Sequence, residues 1–99
     1  MIVFSAKLKA KYGKEKEVED ALMAMIPKVQ NETGTIEYTI HRGQNNDELF
    51  FLYEMYKDKK SFDYHMSTTY LKHLQERFDE ILEEEPQVDI FKTIASINP

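Results

Sequence analysis

One strand restricts the fold of this chain more than any other segment. Residues 48–56, ELFFLYEMY, place large apolar side chains on both faces of a strand. One face carries Phe50, Leu52 and Tyr56, and the other carries Leu49, Phe51, Tyr53 and Met55. A strand that is apolar on both sides is covered on both sides. The fold must therefore supply a layer of helices on one side and a second layer on the other.

The remaining segments predict the element order β-α-β-β-α-β. Period-two alternation predicts strands and i, i+3, i+4 spacing predicts helices. The ranges are strands at 1–10, 35–42, 48–56 and 87–97, a helix at 14–32 bent at Pro27, a short helix capped by Asp58 that runs to about Met66, and a helix from 69 to about 84. This order is the ferredoxin-like split βαβ pattern, an α+β fold whose four-stranded antiparallel sheet carries its helices on one face. The other face would be a bare apolar patch, so we expect a homodimer that packs sheet against sheet.

Length, charge and cysteine content limit the possible partners. The 99 residues predict a single domain, 1–99. The net charge of −5 and the lack of a basic tract argue against nucleic acid and against an anionic membrane surface. Because the chain has no cysteine, disulfides, thiolate catalysis and Cys-based zinc sites are excluded. The sequence contains neither a signal-peptide pattern nor an 18-residue apolar run, so we expect a cytoplasmic protein.

Two motifs resemble those of a known family. The first is ETGTIEY at residues 32–38, and the second is FLYEMY at residues 51–56, followed by Phe62 and His65. In this order the chain resembles the antibiotic biosynthesis monooxygenase family, whose pattern is E-x-G-x-φ-x-Y, then a strand ending φ-x-E-x-W, then a histidine. The resemblance implies a dimeric α+β barrel with a pocket in each subunit between sheet and helices. It also implies oxygenation of a phenolic or quinol-type substrate without metal, flavin or haem.

The chain departs from the family pattern at several positions. Tyr56 stands where the family usually has Trp, and Tyr70 stands where a second histidine is frequent. The haem-degrading branch uses an Asn on the first strand, a Trp on the third strand and a His on the second helix. Here the position of the Asn is at about Ala6, the chain has no Trp, and the position of the His falls near Leu74 or Gln75. Haem degradation is therefore disfavoured. Two other functions stay open: an isomerase of a small hydroxy-ketone signalling molecule, and a non-catalytic dimer that binds small molecules.

His65 and Glu54 are the predicted catalytic residues. His65 follows Phe62 by three residues, so both lie on one helical face, and a histidine there can act as a base near neutral pH. Alternatively, His65 is a structural residue at the end of a helix, where its ring is bonded to a backbone carbonyl. Glu54 lies on an otherwise apolar strand face, where a carboxylate must be paired or neutral. Glu54 would then be a proton acceptor or would orient a group of the pocket. Alternatively, it is structural and makes a hydrogen bond or an ion pair with a lysine of residues 57–60.

Five apolar or aromatic residues are predicted to bind the substrate. They are Tyr56, Tyr38, Phe62, Met66 and Phe50. Such residues can form a slot for a flat ring, although for Phe50 a place in the core is the stronger alternative. The expected ligands are a small aromatic or enolic substrate and dioxygen.

No cofactor is predicted. His41, His65 and His73 do not have metal-ligand spacing, and only three glycines are present, too few for a Gly-rich phosphate loop. We expect His41 to be solvated or interfacial and His73 to be exposed.

Overall fold

The computed structural model describes residues 1–98 and has one antiparallel sheet with helices on one face. Its elements are β1 (Ile2–Lys9), α1 (Glu15–Met23), α2 (Ile26–Val29), β2 (Thr35–Arg42), β3 (Leu49–Tyr56), α3 (Lys59–Met66), α4 (Thr69–Ile81) and β4 (Gln87–Lys92). The strand order is β2-β3-β1-β4, and every neighbouring pair is antiparallel. The predicted α+β, ferredoxin-like fold is confirmed.

The two faces of β3 differ in burial in the way its sequence predicts. Phe50, Leu52, Glu54 and Tyr56 are buried beneath the helices, whereas Phe51, Tyr53 and Met55 are only partly buried on the other face. The core lies between the helices and the sheet. Apolar side chains of α1 and α4, among them Leu22 and Phe78, pack there against Leu8 and Phe50. Burial of apolar surface in this layer is the main source of stability.

Pro27 divides the first helical segment instead of bending it. The predicted single helix at 14–32 is wrong, because α1 ends at Met23 and α2 begins at Ile26. Proline cannot donate the hydrogen bond that a continuous helix would require. Pro27 therefore lies in the first turn of α2, where a backbone N–H has no partner within the helix in any case.

Two predicted ends were also too long. α4 ends at Ile81, and Leu82 is extended and bridges to Ala10, so the helix does not reach residue 84. β4 ends at Lys92 and not at residue 97. Within residues 1–98 no helix combines the length and apolar character that a bilayer-spanning segment requires.

Capping and one close contact fix the start of α3. The Asp58 carboxylate accepts from the Ser61 backbone N–H at 2.9 Å, as the predicted cap requires. Gly34 lies against Ser61 so closely that a β-carbon at residue 34 would overlap the Ser61 side chain. Next to Gly34, the β2–β3 register shifts between Thr35 and Glu37. The loop that precedes β2 is therefore packed directly onto α3.

Candidate functional site

A buried histidine lies at the centre of the candidate site. His65, near the end of α3, is only 2% exposed. Its Nδ1 lies 2.9 Å from both carboxylate oxygens of Glu32, which follows α2 and is 7% exposed. A buried carboxylate that accepts from one ring nitrogen fixes the orientation and the tautomer of the imidazole. Glu32 thus determines where the other nitrogen, Nε2, points.

A second carboxylate faces that other nitrogen. His65 Nε2 lies 3.7 Å from Oε1 of Glu54, which is 4% exposed. The Tyr56 hydroxyl donates to the same Oε1. Glu54 and Tyr56 are two residues apart on β3, so both side chains point to the helix-covered face. The imidazole is therefore enclosed between two carboxylates that approach opposite edges of its ring.

Two hydroxyls complete the surroundings of Glu32. Thr35 Oγ1 donates to Glu32 Oε1 at 2.7 Å, and the Tyr70 hydroxyl donates to Oε2. Glu32 thus binds groups from the start of β2, from α3 and from α4. We call Glu32, His65, Glu54, Tyr56 and Tyr70 the buried network.

Burial sets the protonation of these groups. It raises the pKa of Glu54; the Glu32 carboxylate raises it further, while the Tyr56 hydrogen bond and the His65 charge oppose that rise. Burial also raises the pKa of Tyr56 and Tyr38, and the charge of Glu54 adds to the effect. Both phenols therefore stay protonated at physiological pH, and the Tyr56 hydroxyl acts as a hydrogen-bond donor.

Five of the seven predicted site residues come together. Besides His65, Glu54 and Tyr56, the Tyr38 ring centroid lies 6.2 Å from that of His65. The Phe62 ring meets the Tyr56 ring edge-on, with centroids 5.4 Å apart.

Phe50 and Met66 are not part of this group. Phe50 is a core residue with the Arg42 guanidinium over its ring, six positions and about 20 Å from Tyr56 along β3. Met66 is exposed at the last residue of α3. The imidazoles outside the site, His41 and His73, both belong to exposed residues.

Glu32 and Tyr70 were not predicted as site residues. Glu32 lies in the motif ETGTIEY, but its partners His65 and Tyr70 are 33 and 38 residues away. No local periodicity connects residues at such separations. The available signal was the pairing of the two motifs, because one supplies Glu32 and the other leads to His65.

The arrangement does not present a set of converging metal ligands. Among residues 1–98 no group of three or more His, Asp or Glu side chains could hold a metal ion. Glu32 and Glu54 lie on opposite sides of the imidazole, so their oxygens do not point to one common position. Proton transfer along the line from Glu32 through His65 to Glu54 is the chemistry that this geometry favours.

Three cavities border the buried network. One of about 170 Å³ is lined by Tyr38, and one of about 420 Å³ reaches Glu32 at the loop before β2. A third, of about 430 Å³, is lined by Phe62 and lies between α3 and β4. None of these three is lined by His65 or Glu54.

A family model matches most of the chain. The sequence model of the family described as "Antibiotic biosynthesis monooxygenase" matches residues 1–77. An uncharacterized protein of Synechocystis is 25% identical over 91 residues, which are 92% of this chain and 62% of that protein. The chain therefore spans less than two thirds of the length of that curated relative.

Solved structures resemble the whole fold. A conserved protein from Methanosarcina mazei is 26% identical, with a TM-score of 0.87 over 94% of this chain and 92% of that one. A Mycobacterium tuberculosis protein is 16% identical, with a TM-score of 0.91 over 98% of each chain. A structure described as an antibiotic biosynthesis monooxygenase is 17% identical, with a TM-score of 0.86 over 96% of this chain and 100% of that one.

Proposed function

Because this chain belongs to the antibiotic biosynthesis monooxygenase family, we propose that it is a cofactor-independent monooxygenase of a small phenolic, quinol or polyketide-type substrate. The observation that carries the proposal is the contact between Glu32 and His65 Nδ1 at 2.9 Å. A buried base that a carboxylate orients in this way is suited to removing a proton from a weakly acidic substrate.

The proposed reaction begins with that proton. His65 Nε2 takes it from the substrate, and Glu32 stabilises the imidazolium that forms. The resulting electron-rich anion transfers one electron to dioxygen, and the two radicals combine to form a C–O bond. The peroxide anion takes the proton back from His65 and becomes a hydroperoxide. Loss of water from the hydroperoxide leaves a new carbonyl group. One substrate CH₂ and one O₂ thus become one C=O and one H₂O, and the substrate supplies all the electrons.

The other residues of the site bind and orient the substrate. Tyr38 keeps its proton because burial raises its pKa, so it can donate a hydrogen bond to a substrate oxygen. The Tyr56 hydroxyl already donates to Glu54, so Tyr56 would hold the substrate through its ring. Phe62 provides a ring surface for a flat substrate. Glu54 exchanges the proton with His65 Nε2 across the 3.7 Å gap. Phe50 lies in the core and Met66 lies at the exposed end of α3, both outside this group. Their contact with the substrate stays a prediction.

Oxygen uptake with a panel of anthrones and hydroxylated aromatics tests the proposal. His65→Ala should lower turnover on the order of a hundredfold to ten-thousandfold, the usual cost of removing a general base. The matched control His73→Ala, at an exposed position of α4, should keep wild-type turnover. Equal activity of the two variants would remove His65 from the mechanism.

The second candidate is an isomerase of a small hydroxy-ketone. It is favoured by the two proton-carrying groups in line, His65 and a Glu54 whose pKa burial raises. Such a pair can remove a proton from one carbon and return it to the next without oxygen. Substrate turnover under anaerobic conditions would select the isomerase, whereas turnover that stops without oxygen would select the monooxygenase.

A further inference from the structure

An open apolar cleft of about 430 Å³ lies between α3 and β4. Ile2, Phe62 and Ile90 line it on the helix-covered side of the sheet, and Phe91 reaches it from the other face of β4. Within the described residues, 1–98, β4 is an edge strand paired only with β1, and every residue of it is exposed. Ile90 in particular is 59% exposed. A cavity of this volume with apolar walls and a few polar groups is typical of ligand sites.

The charge of the cleft is positive in a negatively charged protein. Its charged residues are Lys59, Asp63 and Lys92. Lys59 Nζ lies 2.7 Å from Asp63 Oδ2, so these two charges cancel. Among the ion pairs of residues 1–98, none involves Lys92. The cleft thus carries one uncompensated positive charge, while the whole chain carries −5.

Phe62 connects the cleft with the buried network. It lines the cleft, and its ring also meets the Tyr56 ring edge-on at 5.4 Å and 76°. The Tyr56 hydroxyl donates to Glu54, and the Tyr56 and His65 ring centroids are 5.3 Å apart. The aromatic side chain of Phe62 is therefore the partition between the cleft and the proposed reaction centre.

We propose that the α3–β4 cleft binds the substrate as a flat apolar ring that carries an anionic group. The ring lies against Ile2, Ile90 and Phe62, and the anion pairs with Lys92. The reacting end of the ring then reaches the Tyr56 and His65 side of Phe62 when that side chain rotates. The inference rests on the proposed function for the identity of the reacting centre, but ligand binding in the cleft can be measured without turnover.

The cavity that reaches Glu32 fits such a ligand less well. It is lined by Glu32, Thr33, Gly34, Lys57, Asp58, Lys60, Ser61 and Tyr64. The two lysines are offset by two carboxylates, and it lacks the set of apolar side chains against which a ring would be buried. The apolar surface and the unpaired cation coincide in the α3–β4 cleft.

Fluorescence titration with two matched probes tests the cleft. The first is 1-hydroxy-2-naphthoate, and the second is 1-naphthol, which has the same rings and no carboxylate. The wild type should bind the acid more tightly. Lys92→Met should weaken acid binding roughly three- to tenfold, as expected for one partly exposed ion pair, and leave naphthol binding unchanged. Lys72→Met, on the exposed side of α4, is the control and should change neither.

A second variant shows whether the probes occupy the cleft itself. Ile90→Trp fills the cleft at an exposed position and should abolish binding of both probes without unfolding the protein. Unchanged probe affinities in both Lys92→Met and Ile90→Trp would refute ligand binding in the cleft. The absence of probe binding to the wild type would refute it as well. Loss of self-association in Ile90→Trp with unchanged binding would also refute it, because the cleft would then belong to a second copy of the chain.

The outcomes also distinguish this inference from the proposed function. Lys92-dependent binding without any oxygen uptake would support the cleft and count against the monooxygenase. Oxygen uptake that depends on His65 but not on Ile90→Trp would support the monooxygenase and overturn the cleft.

Discussion

At the scale of single residues, Glu54 gives the protein a specific dependence on pH. Burial raises its pKa above the ordinary value of 4.5, so the folded state keeps a proton that the unfolded state has released. The stability gained in this way is complete below about pH 4.5 and is lost as the pH rises through the raised pKa. Glu54→Gln cannot titrate, yet it keeps an oxygen that accepts from Tyr56. Relative to the wild type, we expect this variant to gain stability between about pH 4 and about pH 7.5.

Urea unfolding at the two pH values measures the difference. Glu76→Gln, on an exposed position of α4, is the matched control and should follow the wild type at both pH values. If the Glu54→Gln variant also follows the wild type, Glu54 is ionised in the folded protein and the inferred direction of its pKa is wrong.

The residue scale also shows what the sequence could reveal about the site. Alternation on β3 placed Glu54 and Tyr56 on one face, and the spacing of three residues placed Phe62 with His65 on α3. These relations are local, so sequence patterns contain them. The contact of Glu32 with His65 depends on how the loop before β2 packs onto α3, which no period in the sequence encodes.

At the scale of elements, the contact of Gly34 with Ser61 fixes the position of α3 and therefore the position of His65. Gly34→Ala should lower stability by roughly 1–3 kcal/mol, because the added methyl group overlaps the Ser61 side chain. Ser61→Gly should remove the overlap, although it also removes the Ser61 hydroxyl bond to Asp58 at 2.7 Å. The double variant should then be more stable than the sum of the single changes predicts, by at least about 1 kcal/mol.

A double-mutant cycle from urea unfolding measures this coupling. Gly13→Ala is a control, because Gly13 has φ +83° but nothing within 4 Å of the added β-carbon, so its cost is backbone strain alone. Gly13→Ala should show no coupling to Ser61→Gly. If the changes in unfolding free energy for Gly34→Ala and Ser61→Gly add within about 0.5 kcal/mol, this contact does not fix the position of α3.

Element boundaries were predicted less well than element types. The stripe from Val18 to Val29 continues across Pro27, so periodicity alone indicated one helix, although the missing N–H divides it. Leu82 fits the helical stripe of α4, but it is extended and pairs with Ala10. In both places a backbone hydrogen-bonding requirement outweighed the pattern of apolar side chains.

At the scale of the whole molecule, the sheet face away from the helices is the proposed dimer surface. Phe51, Tyr53 and Met55 lie on it, and Val3 pairs there with Met55 on one side and Phe91 on the other. Tyr53→Lys should place an unpaired charge in the interface and convert the dimer to monomer or unfold it. Tyr64→Lys, on an exposed position of α3, should leave the dimer intact. Sedimentation velocity at micromolar concentration makes the comparison, and a monomeric wild type would contradict the assignment.

The central position of β1 also determines how the chain can fold while it is being synthesised. β1 leaves the ribosome before the other strands of this sheet, but its two neighbours, β3 and β4, begin only at Leu49 and Gln87. Until residue 92 has emerged, one edge of β1 lacks its partner, and an unpaired edge is a template for pairing with another chain. The nascent chain therefore carries an aggregation-prone edge from the emergence of β1 until β4 has been synthesised, and its sheet closes only then.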